Sequence, residues 1–202
     1  MAVVLPPSFY TRDDVISISR ELLGKYLVTQ IDGVRTSGMI VETEAYNGAT
    51  DKACHAHLNR RTNRTEIMFH EGGVAYVYLC YGIHHLFNII TNVKDRPDAV
   101  LIRAVQPEEG LEEMLLRRGM STLKSNLTAG PGSMSKALGI TTSHYGQHLT
   151  EKGPIWVEDK GVSVPDSKII ASPRVGIDYA EEDALLPWRF RIKGNKWTSK
   201  AK

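Results

Sequence analysis

Two strand-forming runs joined by Asp32-Gly33 constrain this chain more than any other feature. Tyr26 to Ile31 and Val34 to Tyr46 are rich in β-branched and aromatic residues, and a two-residue Asp-Gly link between such runs closes an antiparallel hairpin. Gly38 marks a bulge in the return strand. A second hairpin follows the same logic: Val74 to Cys80, a turn at Tyr81-Gly82, then His84 to Thr91. Ala99 to Val105 reads as a further strand, and others lie near Ile155 to Glu158, Ile169 to Ile177 and Trp188 to Lys193. Helices are fewer. Thr11 followed by Asp14 reads as a capping box variant, after which Val15, Ile18, Leu22 and Leu23 recur at helical spacing until Gly24. Pro107 to Arg118 has acids early and arginines late, which complements a helix dipole, and Gly119 ends it. Gly130-Pro131-Gly132-Ser133 opens a short helix through Leu138. With 202 residues, 42% hydrophobic and without internal repeats, the chain is expected to form a single compact α+β domain. Its mostly antiparallel curved β-sheet would have surrounding helices and a protruding β-hairpin.

The composition excludes several classes. No stretch approaches the roughly 18 apolar residues of a membrane span, and Met1 to Pro7 lacks a basic segment followed by a long apolar one. A cytoplasmic protein without a membrane partner is expected. The two cysteines, Cys54 and Cys80, form no CxxC pair, which disfavours a disulfide scaffold or thiolate zinc site. The pairs His55/His57 and His84/His85 complete no metal-ligand set: His84 and His85, adjacent on a strand, point to opposite faces, and no His-Glu-x-x-His helix or cysteine set accompanies either pair. Gly130 to Ser133 is not a nucleotide-binding glycine loop, although it could offer a helix N-terminus to an anion. Net charge is only +2, but Arg189 to Lys202 holds six basic residues and no acid, and Arg60, Arg61 and Arg64 cluster in a polar loop. Such clusters grip phosphates or form solvated surface.

Three features carry chemistry. On the return strand a period of two puts Ile40, Glu42, Glu44 and Tyr46 on one face, the two carboxylates roughly 7 Å apart. Met39, Val41, Thr43 and Ala45 take the packing side, so the acids face solvent or a cleft, and in a cleft a carboxylate can act as general base toward water. Second, Tyr46, Tyr76, Tyr78 and Tyr81 make up half of the eight tyrosines. Third, Tyr81 and Ile83 sit at a hairpin tip, where an apolar wedge can enter between base steps and unstack a duplex. Alternatively, Glu42 and Glu44 at that spacing fit an inverting carbohydrate hydrolase, which needs roughly 6.5–9.5 Å. A nucleic-acid binding module without catalysis would use the hairpin and basic loop alone.

The chain resembles the alkyladenine, or 3-methyladenine, DNA glycosylases. The resemblance rests on Ile40 to Tyr46 (Ile-Val-Glu-Thr-Glu-Ala-Tyr), Ala53 to Ala56, Arg61 to Arg64 leading to Met68-Phe69, and Tyr76 to Asn88. Leu101 to Ala104, Pro107 to Gly110, Gly130-Pro131, Lys136 to Ile140, Pro173 to Ile177 and Pro187 to Phe190 extend it over residues 8 to 197. It implies a monomer without metal or organic cofactor that acts on double-stranded DNA containing damaged purines. Glu44 would deprotonate water for attack at the deoxyribose C1′, with Arg103 near that water. Tyr46, His55 and Tyr78 would wall the extruded base, Asn88 would crowd the amino group of guanine, and Tyr81 would fill the vacated duplex position. Ile83 stands where some members carry Met, and His84-His85 also departs from others. The residues from 198 to 202 would form a flexible basic tail.

Overall fold

The computed structural model describes residues 2–200, and its architecture is a curled antiparallel sheet backed by a few helices. The elements are β1 (Val3–Val4), α1 (Pro7–Tyr10), α2 (Val15–Glu21), β2 (Tyr26–Ile31), β3 (Val34–Tyr46), β4 (Ala75–Cys80), β5 (His84–Thr91) and β6 (Asp98–Glu109). They continue with α3 (Leu111–Arg118), α4 (Pro131–Leu138), β7 (Ile155–Asp159), β8 (Ile169–Ser172) and β9 (Arg189–Ile192), separated by short 3-10 turns. The strand order is β1-β7-β2-β3-β6-β5-β4, while β9 joins β3 to β8. No helix among the described residues is long and apolar enough to cross a membrane.

Alternation along the strands divides the sheet into two unlike faces. Val77, Phe87, Ile89, Val100, Ile102 and Ala104 point to the helical side, where Ile18 of α2, Leu22 at its C-cap, Met114 of α3 and Leu138 of α4 complete the main core. Fully burying each of these side chains larger than alanine contributes about 1.5–3 kcal/mol. The intervening residues Tyr76, Ile90 and Ala99 face the other way and join Cys54, Met68 and Phe69 in a second cluster, against which Tyr46 and Tyr78 pack. The site is built on this second face.

Both hairpins follow the sequence pattern, and the bulge at Gly38 occurs as a register shift between Ser37 and Gly38. A side chain there would meet Val105 and the Gln106 carbonyl within 2.9 Å, so only glycine lets β6 approach. Four expectations change. Asp14, rather than Thr11, caps α2, its carboxylate accepting from the Ser17 N–H at 3.0 Å. Pro107 to Glu109 extend β6 instead of opening a helix, and α3 starts after Gly110, whose positive φ ends the strand. The strand from Ile169 stops at Ser172, because Pro173 has no N–H to donate. A register shift between Ile40 and Glu42 turns Ile40 into the main core beside Val41, away from the acids. At the C-terminus, Ala201 and Lys202 of the expected flexible tail lie outside the described residues. Ser199 is buried and bonded to Glu42.

Candidate active site

Glu44 sits on the second face of β3 with β6 on one side and β9 on the other, paired with Leu101 and Arg189. Being central in the sheet, it is fully buried rather than solvent-facing. Its Oε1 accepts from the Val175 N–H at 2.9 Å and lies 3.2 Å from Arg103 Nη1, while Oε2 accepts from the Tyr46 hydroxyl at 2.9 Å. An ionised carboxylate offers about four acceptor positions. One position on Oε2 therefore remains for another donor.

Glu42, one pleat away, has a different task. Its Oε1 accepts from Arg103 Nε, Arg189 Nε and Ser199 Oγ, each at 2.8 Å, and Oε2 accepts from the Ser199 N–H at 2.5 Å. Burial works to raise its pKa, but the Arg103 charge, the Ser199 N–H and Arg189 outweigh burial and hold the carboxyl below the usual range. Its acceptor capacity is spent on the protein, and it cannot act as a proton donor near neutrality. This removes the paired-carboxylate carbohydrate hydrolase, whose second acid Glu42 would have been.

Arg103 bridges both carboxylates and is itself buried. A second buried pair holds the loop that supplies Val175. Arg174 Nη1 and Nη2 donate to the two Asp51 oxygens at 2.5 and 2.9 Å, and its guanidinium lies 4.8 Å from the Tyr46 ring centroid. Tyr46, Arg103 and Val175 all border a cavity of about 670 Å³, so Glu44 lies one layer beneath the lining and touches it through these three residues.

The same cavity gathers His55, Arg64, Tyr76, Tyr78 and Asn88. The His55 and Tyr78 rings meet edge to face with centroids 4.8 Å apart. His55 Nδ1 is 2.8 Å from the Tyr76 hydroxyl and Nε2 is 3.5 Å from Arg64 Nη2. Because a guanidinium only donates, Nε2 is the acceptor and Nδ1 carries the proton. Burial, then the charges of Arg64 and Arg60, push the His55 pKa down to about 4, so the ring is neutral at pH 7. Asn88 donates through Nδ2 to the Tyr76 and Leu86 carbonyls at 3.1 and 3.4 Å, which fixes the amide with Oδ1 as its remaining polar group.

The β4–β5 hairpin tip stands at the mouth of this cavity. Tyr81 borders it, is 89% exposed and has a positive φ of 51°, followed by Gly82 at 72°. Ile83 is 71% exposed. His84 packs against Gly132 at the start of α4, and His85 Nδ1 accepts from the Thr142 N–H at 3.1 Å, so both histidines tie the hairpin to the body.

The basic residues separate into different roles. Arg60 lines an adjoining cavity and has no acidic partner among the described residues. Arg61 is already engaged by Glu66 and Asp95 and covers the Phe69 ring. Arg64 turns inward. From the C-terminal basic stretch, Arg189 is withdrawn into the Glu42 cluster and Arg191 bonds Ser172, leaving Lys193, Lys196 and Lys200 exposed. Sequence reasoning missed the supports from distant segments: Val175, the Asp51–Arg174 pair, Arg189 and Ser199. The pattern Pro173 to Ile177 was the available pointer to the first two. Among the described residues no cluster of His, Cys, Asp and Glu suited to a metal ion occurs.

Comparison with known proteins places this chain in a family. The model of a family described as methylpurine-DNA glycosylase matches residues 8–196. A Chlamydia felis protein named "Putative 3-methyladenine DNA glycosylase" is 48% identical, the alignment covering 96% of this chain and 98% of the relative. A Bacillus cereus protein of the same name is 47% identical over the same shares. The chain belongs to the methylpurine-DNA glycosylase family.

Proposed function

We propose that this protein flips damaged purines out of duplex DNA and hydrolyses their N-glycosidic bond, leaving an abasic site without cutting the strand. The family supports the coarser statement, a DNA repair glycosylase of the 3-methyladenine type acting on N-glycosyl bonds. The observation that carries the finer reading is the juxtaposition of three things. A buried carboxylate with one acceptor position left lies under an aromatic cavity of nucleotide size, and an exposed tyrosine on a hairpin tip borders the same cavity.

In this reading Tyr81 and Ile83 enter the minor groove, Tyr81 fills the gap, and the extruded base stacks against Tyr46, His55 and Tyr78. A water bonded to Glu44 Oε2 attacks C1′, its proton passing to the carboxylate as the C1′–N bond breaks. Arg103 orients Glu44 and sits near that water, while Asn88 narrows the pocket against the amino group of guanine. Alkylation at N3 or N7 leaves the purine cationic and a better leaving group, so 3-methyladenine and 7-methylguanine are expected substrates. Hypoxanthine and ethenoadenine are neutral candidates. No lysine is matched to an amine nucleophile, which argues for simple hydrolysis. The DNA is held as the sole partner by a monomer, with Arg60 and Arg61 on phosphates; Arg61 exchanges its acids for the backbone.

Release of free base from duplexes carrying one such lesion tests this directly, and strand cleavage without added base would contradict the hydrolytic route. Tyr81→Ala is expected to slow release from a duplex by about tenfold or more, since flipping costs a few kcal/mol that the plug helps offset. The same change should hardly affect a lesion in unpaired DNA; equal losses in both would exclude the wedge. Arg60→Ala is expected to reduce the slope of log affinity against log salt by about one. An unchanged slope would remove Arg60 from the interface.

A further inference from the structure

The guanidinium of Arg103 is held along one edge by two acceptors and offers its far end to Glu44. Nε donates to Glu42 Oε1 at 2.8 Å and Nη2 to Ser199 Oγ at 3.4 Å, while Nη1 lies 3.2 Å from Glu44 Oε1. Ser199 Oγ in turn donates to the same Glu42 Oε1 at 2.8 Å. One carboxylate oxygen and one hydroxyl thus share an edge that a single carboxylate could fill alone. Ser199 arrives there on an anchored segment. Asn195 Nδ2 donates to Gln106 Oε1 of β6 and Asn195 Oδ1 accepts from the Trp197 N–H, both at 2.9 Å, and the Trp197 ring is buried in the main core. The main chain of Ser199 adds two bonds, its N–H to Glu42 Oε2 at 2.5 Å and its carbonyl accepting from Arg189 Nη2 at 3.3 Å.

Resting on the glycosylase reading, we infer that Ser199 is a positioning residue for the chemical step: its hydroxyl keeps Arg103 on a single oxygen of Glu44 and so leaves Oε2 open to water. An arginine beside a carboxylate favours the fork in which two N–H groups bond both oxygens. With Glu44 that fork would take Oε2, which already accepts from the Tyr46 hydroxyl. Glu44 would then be spent on the protein, as Glu42 is, and could not take a proton from water. Two bonds, from Nε and from Nη2, fix the plane of the Arg103 guanidinium. With the second removed, the group can pivot about the first toward Glu44. The hydroxyl is therefore what keeps the two buried glutamates unlike, one saturated and one with a position to spare. Ser199 does not border the cavity, so its effect reaches the chemistry only through Arg103.

Single-turnover release of 7-methylguanine from a duplex at saturating enzyme, by the full-length wild type, Ser199→Ala, Glu44→Gln and the double variant, tests the inference. Ser199→Ala keeps both main-chain bonds of residue 199, so the segment stays in place. The expected result is a fall of about tenfold in rate at unchanged duplex affinity, within the loss that a small misplacement of a reacting group brings. Adding Ser199→Ala to Glu44→Gln should lower the rate no further, because the hydroxyl acts through that carboxylate. A crystal structure of Ser199→Ala should show both Nη atoms of Arg103 on Glu44. Equal losses in the two backgrounds, a wild-type rate for Ser199→Ala, or an unmoved Arg103 in its structure would each overturn the proposal. Failure of the wild type to release the base would instead overturn the glycosylase reading, and this inference with it.

Discussion

Glu44→Gln is expected to lower base release from a single-lesion duplex by about three orders of magnitude, within the 10²–10⁴ that a positioned general base contributes. The substitution keeps shape and most bonds. The amide oxygen can accept from Val175 N–H, the Tyr46 hydroxyl can reverse its role and accept from the amide NH2, and Arg103 retains Glu42. The fold and duplex affinity should therefore survive, so the loss appears in the rate of the chemical step under saturating enzyme. Release at the wild-type rate would show that water is activated elsewhere.

The second large effect concerns stability. Glu42→Gln is expected to lower the thermal midpoint by about 10 °C, because breaking a buried ion pair costs about 3–5 kcal/mol and each kcal/mol is worth about 2–4 °C in a domain of this size. Arg103 and Arg189, both buried, would face an amide in place of the anion that neutralises them. Activity should fall as well, since Glu44 is then the one anion left to Arg103 among the described residues. By contrast Glu21→Gln, which breaks the exposed Arg12 pair, should leave the midpoint unchanged. Linkage has a defined sign here. The Glu42 carboxyl is held below its ordinary value, so its stabilisation is fully present above the unfolded-state value and is lost as pH falls through the folded one. Wild-type stability should therefore decline on the acid side more steeply than that of Glu42→Gln. Equal midpoints for the two proteins at pH 7 would show that the cluster is not structural.

Where local pattern determines structure, the sequence was sufficient. β2, β3 and β5 have the bounds that their alternation and turn dipeptides predict, because Asp32-Gly33 and Tyr81-Gly82 take the left-handed turns those hairpins need. Glu44, Tyr46, Tyr78, Asn88 and Arg103 lie in segments the pattern reads as strands, but the order β3-β6-β5-β4 that brings them to one face was not legible in it. Pro107-Glu108-Glu109 shows the limit. Their local preference is a helix start, yet pairing of Pro107 with Gly38 and of Glu109 with Ser37 keeps them in β6. The partners of the two glutamates were not legible either. Val175 reaches Glu44 from 131 positions away and Ser199 reaches Glu42 from 157 positions away, and no periodicity encodes such a meeting. Charge was misleading for a related reason. Arg189 belongs to the most basic stretch of the chain, but β9 pairs with β3 and delivers it to a buried carboxylate instead of to a phosphate.

The most direct measurement is the structure of the Glu44→Gln protein bound to a duplex containing one hypoxanthine, where slow chemistry preserves the intact nucleotide. The account predicts that nucleotide extruded into the cavity between Tyr46 and the His55–Tyr78 wall, Tyr81 in the space it left, and the substituted side chain reaching C1′ through a single water. A lesion still stacked in the duplex, or an extruded sugar with no path for water between C1′ and position 44, would contradict it.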